Sequence, residues 1–447
     1  MSADVTEAAC AFKGLSLEAV EALSASKQEP VWMRDKRRAA WQRSQALALP
    51  SGTEEEWRRT DLRWLKWSDY YPIPPQGVLA GHRDELPATL VAHMGLPETT
   101  LGGLVVHQDG SPVWCTLDDT LHQQGIIFCD LDTAVRHHAD LVEPHFMTTA
   151  VPVDTNKFTA LHGALWNGGV FLYVPRGVTV TLPLQALTAH TTAAGMQHGH
   201  TLVVAEAQSQ VTLVDEQLSE RGDLPGLANG VVELHLKAGA KVTYLHMQNW
   251  SRRLRGFANG SAVLAADSQL CWATAGLGAR LLWNGIRVQL QEPGSHARLC
   301  GLILTDGRQH LDYQTRQDHM APHTTSDLLF KSALFGRSRT VFRGVVWLRP
   351  EAQQTDAFQS SHALLLSPNA RADAIPILEI EADDVRCKHG ATTGRIDDDQ
   401  LFYLMSRGLS YQEAQRMIVQ GFFETVLTEF PVEGLQEKIR HTLDARI

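Results

Sequence analysis

Cysteine is scarce in this sequence, and no two cysteines stand close together. The 447 residues include six, namely Cys10, Cys115, Cys129, Cys271, Cys300 and Cys387. The nearest two, Cys115 and Cys129, are 14 positions apart. Zinc ribbons and ferredoxin-type clusters take their ligands from closely spaced cysteines. The spacing therefore argues against a metal cage that the cysteines of this chain build alone.

A phosphate loop is missing as well. No glycine is followed directly by lysine, so the motif GxxxxGK[ST] does not occur. The stretch GLGARLLWNG supplies glycine turns without a dinucleotide fingerprint. If the function of this protein uses ATP, another protein has to bind the nucleotide.

Long apolar runs and an excess of basic charge are also absent. The N-terminal residues are partly acidic and contain no run near the roughly 18 apolar residues of a membrane span. We therefore expect neither a signal peptide nor a membrane helix, and a cytoplasmic location. A net charge of −10, with 20% charged and 44% hydrophobic residues, is typical of a soluble protein and offers no basic field for nucleic acid.

The sequence does contain a repeat of short strands between about residues 165 and 385. Runs such as GVVELHLKAGAKVTYLHMQ indicate strand, turn, strand. A turn followed by an apolar strand start recurs at spacings of 31, 31, 28 and 27 residues, at Val180, Val211, Val242, Leu270 and Ala297. Coils of this length favour a β-helix, in which each coil buries its inward side chains on the next. A two-sheet sandwich or jelly roll, which needs no constant spacing, is the alternative.

Helical character at both ends predicts three domains. We expect a largely helical N-terminal domain over residues 1–165, a β-helix core over 166–390 and a helical C-terminal domain over 391–447. Six apolar residues of the N-terminal domain are expected to form a small core of their own: Trp41, Leu47, Trp57, Leu62, Trp64 and Leu65.

Helix-capping residues predict two helices near the C-terminus. Asp397 with Gln400, and Ser410 with Glu413, have the spacing of capping boxes, and Gly408 is placed to end the first helix. The second helix has an apolar face at helical spacing, formed by Ala414, Met417, Ile418, Phe422, Val426 and Leu427. This face either packs on the β-domain or docks a partner.

Two groups of histidines in the β-domain are candidate metal ligands. His198 and His200 share one face of a predicted strand, similar to a cupin motif, but the gap before Glu206 is longer than that motif allows. The second group combines imidazoles and carboxylates that suit a divalent ion, and polar turns produce the same pattern through hydrogen bonds alone. Its members are His310, Asp312, Asp318, His319 and His323.

A third candidate, Cys387 with His389, stands just ahead of the C-terminal helices. If residues 384–389 form a strand, both side chains point to one face about 6–7 Å apart, which is too far for a nucleophile and its base. Two ligands are also too few for a stable iron or zinc site. The pair is either structural or half of a site that another subunit completes.

The segment DVRCKHGATTGRIDDDQLFYLMSRGLS resembles the signature of the SufB/SufD family of iron–sulfur cluster assembly proteins. The resemblance extends to KFTALHGALWNGGVFLYVPRGV and PSGTEEEWRRTDLRWL, and so covers most of the chain. B-type members usually have a glutamate in place of Gly390 and an N-terminal cysteine cluster. The sequence is therefore more similar to the D-type branch.

This resemblance implies a right-handed parallel β-helix, mainly β overall, flanked by helical domains. It implies a noncatalytic scaffold subunit that supports iron acquisition, with no nucleotide of its own. The implied partners are a SufB-like paralogue, the ABC-type ATPase SufC and, through SufB, a cysteine desulfurase system. Carried over residue by residue, His389 and Cys387 would form half of a transient iron–sulfur site shared with SufB.

The resemblance also implies that the C-terminal helices contact the ATPase. The residues expected at that interface are Leu401, Phe402, Tyr403, Arg407, Met417 and Phe422. Two alternatives stay open: a B-type-like subunit that binds a cluster alone, and a β-helix or cupin-like metalloprotein that uses His198 and His200.

Overall fold

The computed structural model describes residues 14–75, 79–82, 85–94, 96, 98–220 and 222–447, so Cys10 lies outside the described residues. In this part of the chain the α-helices are α1 (Leu17–Ser26), α2 (Val31–Ala46), α3 (Ala88–His93), α4 (Asp119–Gln123), α5 (Leu131–His137), α6 (Ala139–Val142), α7 (Lys157–Leu165), α8 (Asp398–Ser406), α9 (Tyr411–Leu427) and α10 (Glu433–Asp444). The strands are β1 (Tyr71–Pro72), β2 (Gly103–Gln108), β3 (Ser111–Leu117), β4 (Ile127–Asp130), β5 (Gly168–Val174), β6 (Leu184–His190), β7 (Gly195–Gln197), β8 (Gly199–Ala205), β9 (Gln210–Ser219), β10 (Gly226–Leu236), β11 (Lys241–Asn249), β12 (Leu254–Leu264), β13 (Gln269–Gly276), β14 (Leu281–Leu290), β15 (His296–Thr305), β16 (His310–His319), β17 (Thr325–Leu334), β18 (Arg339–Leu348), β19 (Thr355–Leu365), β20 (Arg371–Ile380) and β21 (Val385–Arg395).

Most of these strands form two sheets wound into one solenoid. The first sheet has the order β20-β18-β16-β14-β12-β10-β8-β5-β4, and the second has the order β21-β19-β17-β15-β13-β11-β9-β6-β2-β3. From β8 onward, successive strands alternate between the sheets and their neighbours in each sheet run parallel. Antiparallel pairs, β2 with β3 and β4 with β5, lie at the N-terminal end. The sandwich alternative is wrong, because each parallel neighbour comes from the next coil.

The predicted repeat positions stack directly on one another. Val211 pairs with Val242, Val242 with Leu270, and Leu270 with Ala297, and the Val180 amide donates to the Gln210 carbonyl at 2.8 Å. All are buried in the apolar core between the two sheets. The prediction of a mainly β, parallel β-helix with helices at both ends is therefore confirmed, with about eight coils. Its right-handed winding stays a prediction.

The N-terminal segment packs on the outer face of the first sheet. Trp57 stacks on Trp283 of β14 at 4.1 Å between ring centroids, and Trp64 lies parallel to Phe257 of β12 at 6.4 Å. Trp41 belongs to a different cluster beside α7. Trp57, Leu62, Trp64 and Leu65 do share one cluster, but side chains of the sheet complete it. The expected core therefore forms in part and is not separate from the β-domain.

Strands on both sides of the expected domain boundaries belong to the solenoid sheets. β2, β3 and β4 precede residue 165 and pair into the two sheets, and β21 continues past residue 390 to Arg395. The division into residues 1–165, 166–390 and 391–447 stays a proposal.

The C-terminal helices begin and end where the sequence predicts, and α9 and α10 cover the outer face of the second sheet. Asp397 caps α8 by accepting from the Asp399 amide at 2.9 Å. Gly408, with φ +98°, follows its last turn, and Ser410 and Glu413 form the capping box of α9. Helix α10 is an addition to the prediction. No helix in the described ranges is long and apolar enough to span a membrane.

Candidate metal centre at the last coil

The last coil of the solenoid consists of β20 and β21. Each pairs with one strand in its sheet, β18 and β19 respectively, so in the described part of the chain each presents a free edge. β20 contains Pro376, which has no amide hydrogen to donate, whereas β21 contains no proline. A free strand edge pairs readily with a strand of another chain. The edge of β21 is the better template for such pairing.

Cys387 continues the column of repeat positions to the end of the solenoid. Cross-strand pairs lead from Ala297 to Ser326, from Ser326 to Ala357 and from Ala357 to Cys387. Since the earlier members of this column face the core between the sheets, the thiol faces the same space. The strand repeat and the candidate ligand are therefore parts of one pattern.

The surroundings of Cys387 are apolar. The half-buried side chain packs beside Leu378 of β20 in a small hydrophobic cluster. Burial, and to a smaller extent the charge of Asp356, raises the pKa of the Cys387 thiol to about 11. The free thiol is therefore protonated at neutral pH, and it needs iron or a cationic partner to become a thiolate ligand.

His389 lies two residues further along the same face. Because residues 385–395 form an extended strand, the side chains of Cys387 and His389 project to one side about 6–7 Å apart. His389 is exposed, and its cross-strand neighbour Gln359 is fully buried. Gln359 Nε2 donates to the Gly344 carbonyl at 3.2 Å, while its Oε1 has no partner among the described residues.

Gln359 was not among the predicted site residues, although the sequence contains a signal for it. Counting one coil of about 30 residues back from His389 reaches Gln359. The interpretation based on residue types passed over this glutamine because an amide is not a typical iron ligand. Its position follows only when the repeat is extended to the last coil.

The pair Cys387 and His389 supplies a soft thiol and an imidazole but no third ligand. Across the described ranges, no group of three or more His, Cys, Asp or Glu side chains is arranged to hold one metal ion. Thiolate and imidazole together suit iron and iron–sulfur clusters. The arrangement can therefore provide part of a coordination sphere whose remaining ligands come from elsewhere.

His198 and His200 are fully buried beneath the N-terminal region. His200 Nδ1 lies 3.0 Å from His162 Nε2, and His200 Nε2 lies 3.1 Å from Glu233 Oε2. Glu206 follows β8 in a turn, where its amide donates to the Val174 carbonyl. The cupin-like alternative thus finds no converging donor set in the described residues, and His200 instead joins a chain of hydrogen bonds.

The protonation of this chain follows from its partners. His162 Nδ1 must carry a hydrogen because it faces the Asn229 carbonyl at 2.8 Å, and burial keeps the pKa of His162 well below its ordinary value. Its Nε2 therefore accepts a hydrogen from His200 Nδ1. Burial lowers the pKa of His200 to about 3 and raises that of Glu233 to about 8. The protonated Glu233 carboxyl then donates to His200 Nε2.

The second polar group does not converge on one point. His310 and Asp312 both contact Thr60 Oγ1, at 3.0 and 2.5 Å, on the outer face of the first sheet. Asp318 accepts from two arginines, and His319 bonds the hydroxyls of Thr324 and Ser326 at 2.7 and 2.8 Å on the inner face. These contacts favour the structural interpretation of the cluster.

The six residues expected at the ATPase interface differ in exposure. Phe402, Tyr403 and Met417 are 73%, 57% and 49% exposed, whereas Leu401 is buried. Phe422 is partly buried on the second sheet, where its carbonyl accepts from Lys331 Nζ at 2.7 Å.

Arg407 is also exposed on this surface, and helix α9 buries a different side from the one that the sequence predicts. The guanidinium of Arg407, which is exposed, lies 5.2 Å from the Tyr403 ring centroid. The buried side of α9 differs from the predicted apolar face, because Val419 and Phe423 are buried and Met417 faces outward. Contact with β15 and β17 determines this orientation.

Comparison with known proteins agrees with this architecture. Residues 187–422 match the family profile of the SUF system FeS cluster assembly SufBD core domain, and residues 111–186 match the SufBD protein N-terminal region. The chain is 31% identical to the iron–sulfur cluster assembly protein SufD of Bacillus subtilis over 96% of this chain and 97% of that protein. It is 30% identical to SufB of the same organism, over 96% and 92%. A SufBD family protein of Staphylococcus saprophyticus is 29% identical over the same shares. The chain therefore belongs to the SufB/SufD family of iron–sulfur cluster assembly proteins.

Proposed function

We propose that this chain is a D-type scaffold subunit in which Cys387 and His389 form half of a site for nascent iron–sulfur clusters. The observation that carries this proposal is their position on one face of β21, the outermost strand of the second sheet. A SufB-like paralogue that pairs with the last coil would bring its own ligands to the same place. The cluster is the cargo of this site rather than a resident cofactor.

A shared site suits a scaffold that has to release its cluster. Two ligands from one chain bind iron weakly, since structural iron–sulfur clusters take four. The protonated Cys387 thiol adds a further condition, because it must lose its proton when iron binds. Cluster formation would then depend on both iron and the partner subunit, and separation of the subunits would release the cluster.

The ATPase partner is proposed from the C-terminal helices. Phe402, Tyr403 and Met417 present large exposed side chains on α8 and α9, and exposed aromatic residues are enriched at protein interfaces. The sequence has no phosphate loop of its own. We propose that a SufC-type ATPase docks here and that the subunit itself is noncatalytic, supports iron acquisition and works in the cytoplasm.

The test compares His389→Ala with His362→Ala in the reconstituted complex. His362 lies on the neighbouring strand β19 but faces outward and contacts Thr392 at 2.7 Å, so it controls for loss of an imidazole near the edge. His389→Ala should keep its thermal unfolding midpoint and its partners. It should lower iron and sulfide content by about tenfold at limiting iron, in line with the loss expected for weakened metal binding. Normal cluster content in His389→Ala would refute the assigned role.

The partners are tested by recovering the tagged protein from its native cytoplasm and identifying bound proteins by mass spectrometry. A SufB-like chain and an ABC-type ATPase are the expected result. Recovery of this chain alone, together with a stable iron–sulfur spectrum after anaerobic reconstitution, would favour the B-type-like alternative.

A further inference from the structure

A cavity lies on the outer face of the first sheet. Its volume is about 320 Å³. The N-terminal segment that contains Arg59 and Trp64 forms one wall, and the starting ends of β12, β14, β16 and β18 form the other. The lining residues are Arg59, Asp61, Trp64, Arg255, Arg280, Leu281, His310 and Arg339. Four arginines around one cavity are notable in a chain whose net charge is −10.

Two of the four arginines form ion pairs with nearby carboxylates. Arg59 bonds Glu55 at 2.8 Å, and Arg339 bonds Asp373 at 2.5 Å. The lining carboxylate Asp61 is held at both oxygens by Arg63, at 2.9 and 2.7 Å. Arg58 and Arg371 share the Glu55 and Asp373 carboxylates, at 3.2 and 3.0 Å, so none of these carboxylates is free to pair with the other arginines of the cavity.

The other two arginines, Arg255 and Arg280, have no carboxylate within 4.0 Å among the residues that the structure describes. Arg255 donates to the Tyr70 hydroxyl at 3.2 Å, and its guanidinium lies 4.3 Å from the Trp64 ring centroid. The pKa of Arg280 is lowered first by burial and then by the like charges of Arg255 and Arg308. Within the described ranges, two positive charges are thus held together without a paired carboxylate.

Neighbouring titratable groups do not compensate this charge. Burial, followed by the charge of Arg339, lowers the pKa of His310 to about 4, so that imidazole is neutral near pH 7. Asp312, on the far side of Thr60, is buried, and burial raises the pKa of its carboxyl to about 7. The two carboxyl oxygens of Asp312 accept hydrogen bonds from Thr60 Oγ1 at 2.5 Å and from Gln314 Nε2 at 2.6 Å.

We infer that this pocket binds a small molecule with two or more oxyanionic charges, such as a phosphate ester or a polycarboxylate. The planar guanidinium fork matches the geometry of both phosphate and carboxylate oxygens. A volume of about 320 Å³ is at the lower end of small-molecule sites, which span about 300–1,000 Å³. The pocket is formed by this chain alone, so the inference does not depend on the proposed cluster site.

The test is isothermal titration calorimetry of the full chain with pyrophosphate and with citrate, at constant physiological ionic strength. At least one of them should bind one-to-one with a dissociation constant below about 1 mM. Tighter binding of pyrophosphate would identify a phosphate ester as the ligand class, and tighter binding of citrate would identify a polycarboxylate. Absence of saturable binding by both would overturn the inference.

Matched variants locate the binding. Arg280→Gln should weaken binding at least about tenfold, because it removes a charge-assisted hydrogen-bonding group. Arg280→Lys, which keeps the charge but loses the fork, should lie between that variant and the original chain. Arg253→Gln removes an exposed arginine from the preceding turn and should change affinity less than about twofold. Equal weakening in Arg253→Gln and Arg280→Gln would indicate a nonspecific charge effect and refute the site.

Discussion

Replacing the buried Glu233 with glutamine should change how the stability of this protein depends on pH. The carboxyl accepts the Met147 amide at 2.7 Å and the Val151 amide at 3.1 Å, and it shares one proton with His200. Its pKa is raised to about 8 by burial, against an ordinary value of 4.5. The folded protein therefore holds this proton up to about pH 8, whereas the unfolded chain releases it near pH 4.5.

The sign and size of the effect follow from this difference in proton binding. Since the folded state binds the proton and the unfolded state does not, the contribution of Glu233 to the free energy of unfolding falls as pH rises, by about 1.4 kcal/mol per pH unit. Between pH 6 and pH 8 the loss is about 2 kcal/mol, because the slope flattens near the folded pKa. Above about pH 8 both states are deprotonated and the loss ends.

Glutamine removes this titration but has a cost of its own. Its amide nitrogen can donate to His200 Nε2 but cannot accept from the Met147 amide, which leaves a buried donor unpaired at a cost of about 1–3 kcal/mol. At pH 6 the variant should therefore be less stable than the original chain. By pH 8 the difference should shrink by about 2 kcal/mol or reverse sign.

Urea denaturation followed by circular dichroism, repeated from pH 6 to pH 9, measures this difference directly. The matched control is Glu216→Gln, which replaces another buried carboxylate, one held by Lys438 Nζ. The difference in the free energy of unfolding between Glu216→Gln and the original chain should not shrink toward alkaline pH. A gap between Glu233→Gln and the original chain that stays constant to within about 0.5 kcal/mol over this range would refute the protonation argued for the Glu233–His200 pair.

Two further predictions concern the helical face and the packing of the coils. Met417→Glu should leave the thermal unfolding midpoint unchanged and abolish recovery of the proposed ATPase partner in a pull-down. Val419→Glu, which changes a buried residue two positions further along the same helix, should lower the free energy of unfolding by about 3 kcal/mol or more. Early unfolding of Met417→Glu would show that Met417 is part of the core. Gly301→Ala should lower the free energy of unfolding by about 1–3 kcal/mol, because the added Cβ would lie 2.3 Å from the Phe330 ring. Gly390→Ala, whose added Cβ would have no atom within 4 Å, should unfold at the same temperature as the original chain. Equal stability of the two glycine variants would contradict the packing described for the core.

Much of the architecture could be predicted because a solenoid repeats one local rule. Val211, Val242 and Leu270 each follow a turn and each face inward, so their spacing along the chain is also their spacing from coil to coil. The same spacing, continued past Ala297, arrives at Cys387. The family signature and the structural repeat thus point to the same residue by independent routes.

Contacts between residues far apart in the sequence could not be predicted in the same way. Trp57 and Trp64 have the composition of a small core, yet the surface that buries them is a sheet more than 190 residues later in the chain. The direction in which α9 turns its apolar residues depended in the same way on the strands beneath it, which is why Met417 is exposed and Phe423 is buried.

The sequence by itself determined the strand repeat, the helix caps and the positions of Cys387 and His389 on one strand face, because these depend on neighbours a few residues or one coil away. Only the tertiary structure decided which polar groups meet. Glu233 and His200 share a proton, and Arg255 and Arg280 share a cavity, because adjacent coils and the N-terminal segment bring them together. Burial then changes the protonation of the first pair, and the second pair has no carboxylate partner among the described residues. Neither effect can be read from residue spacing.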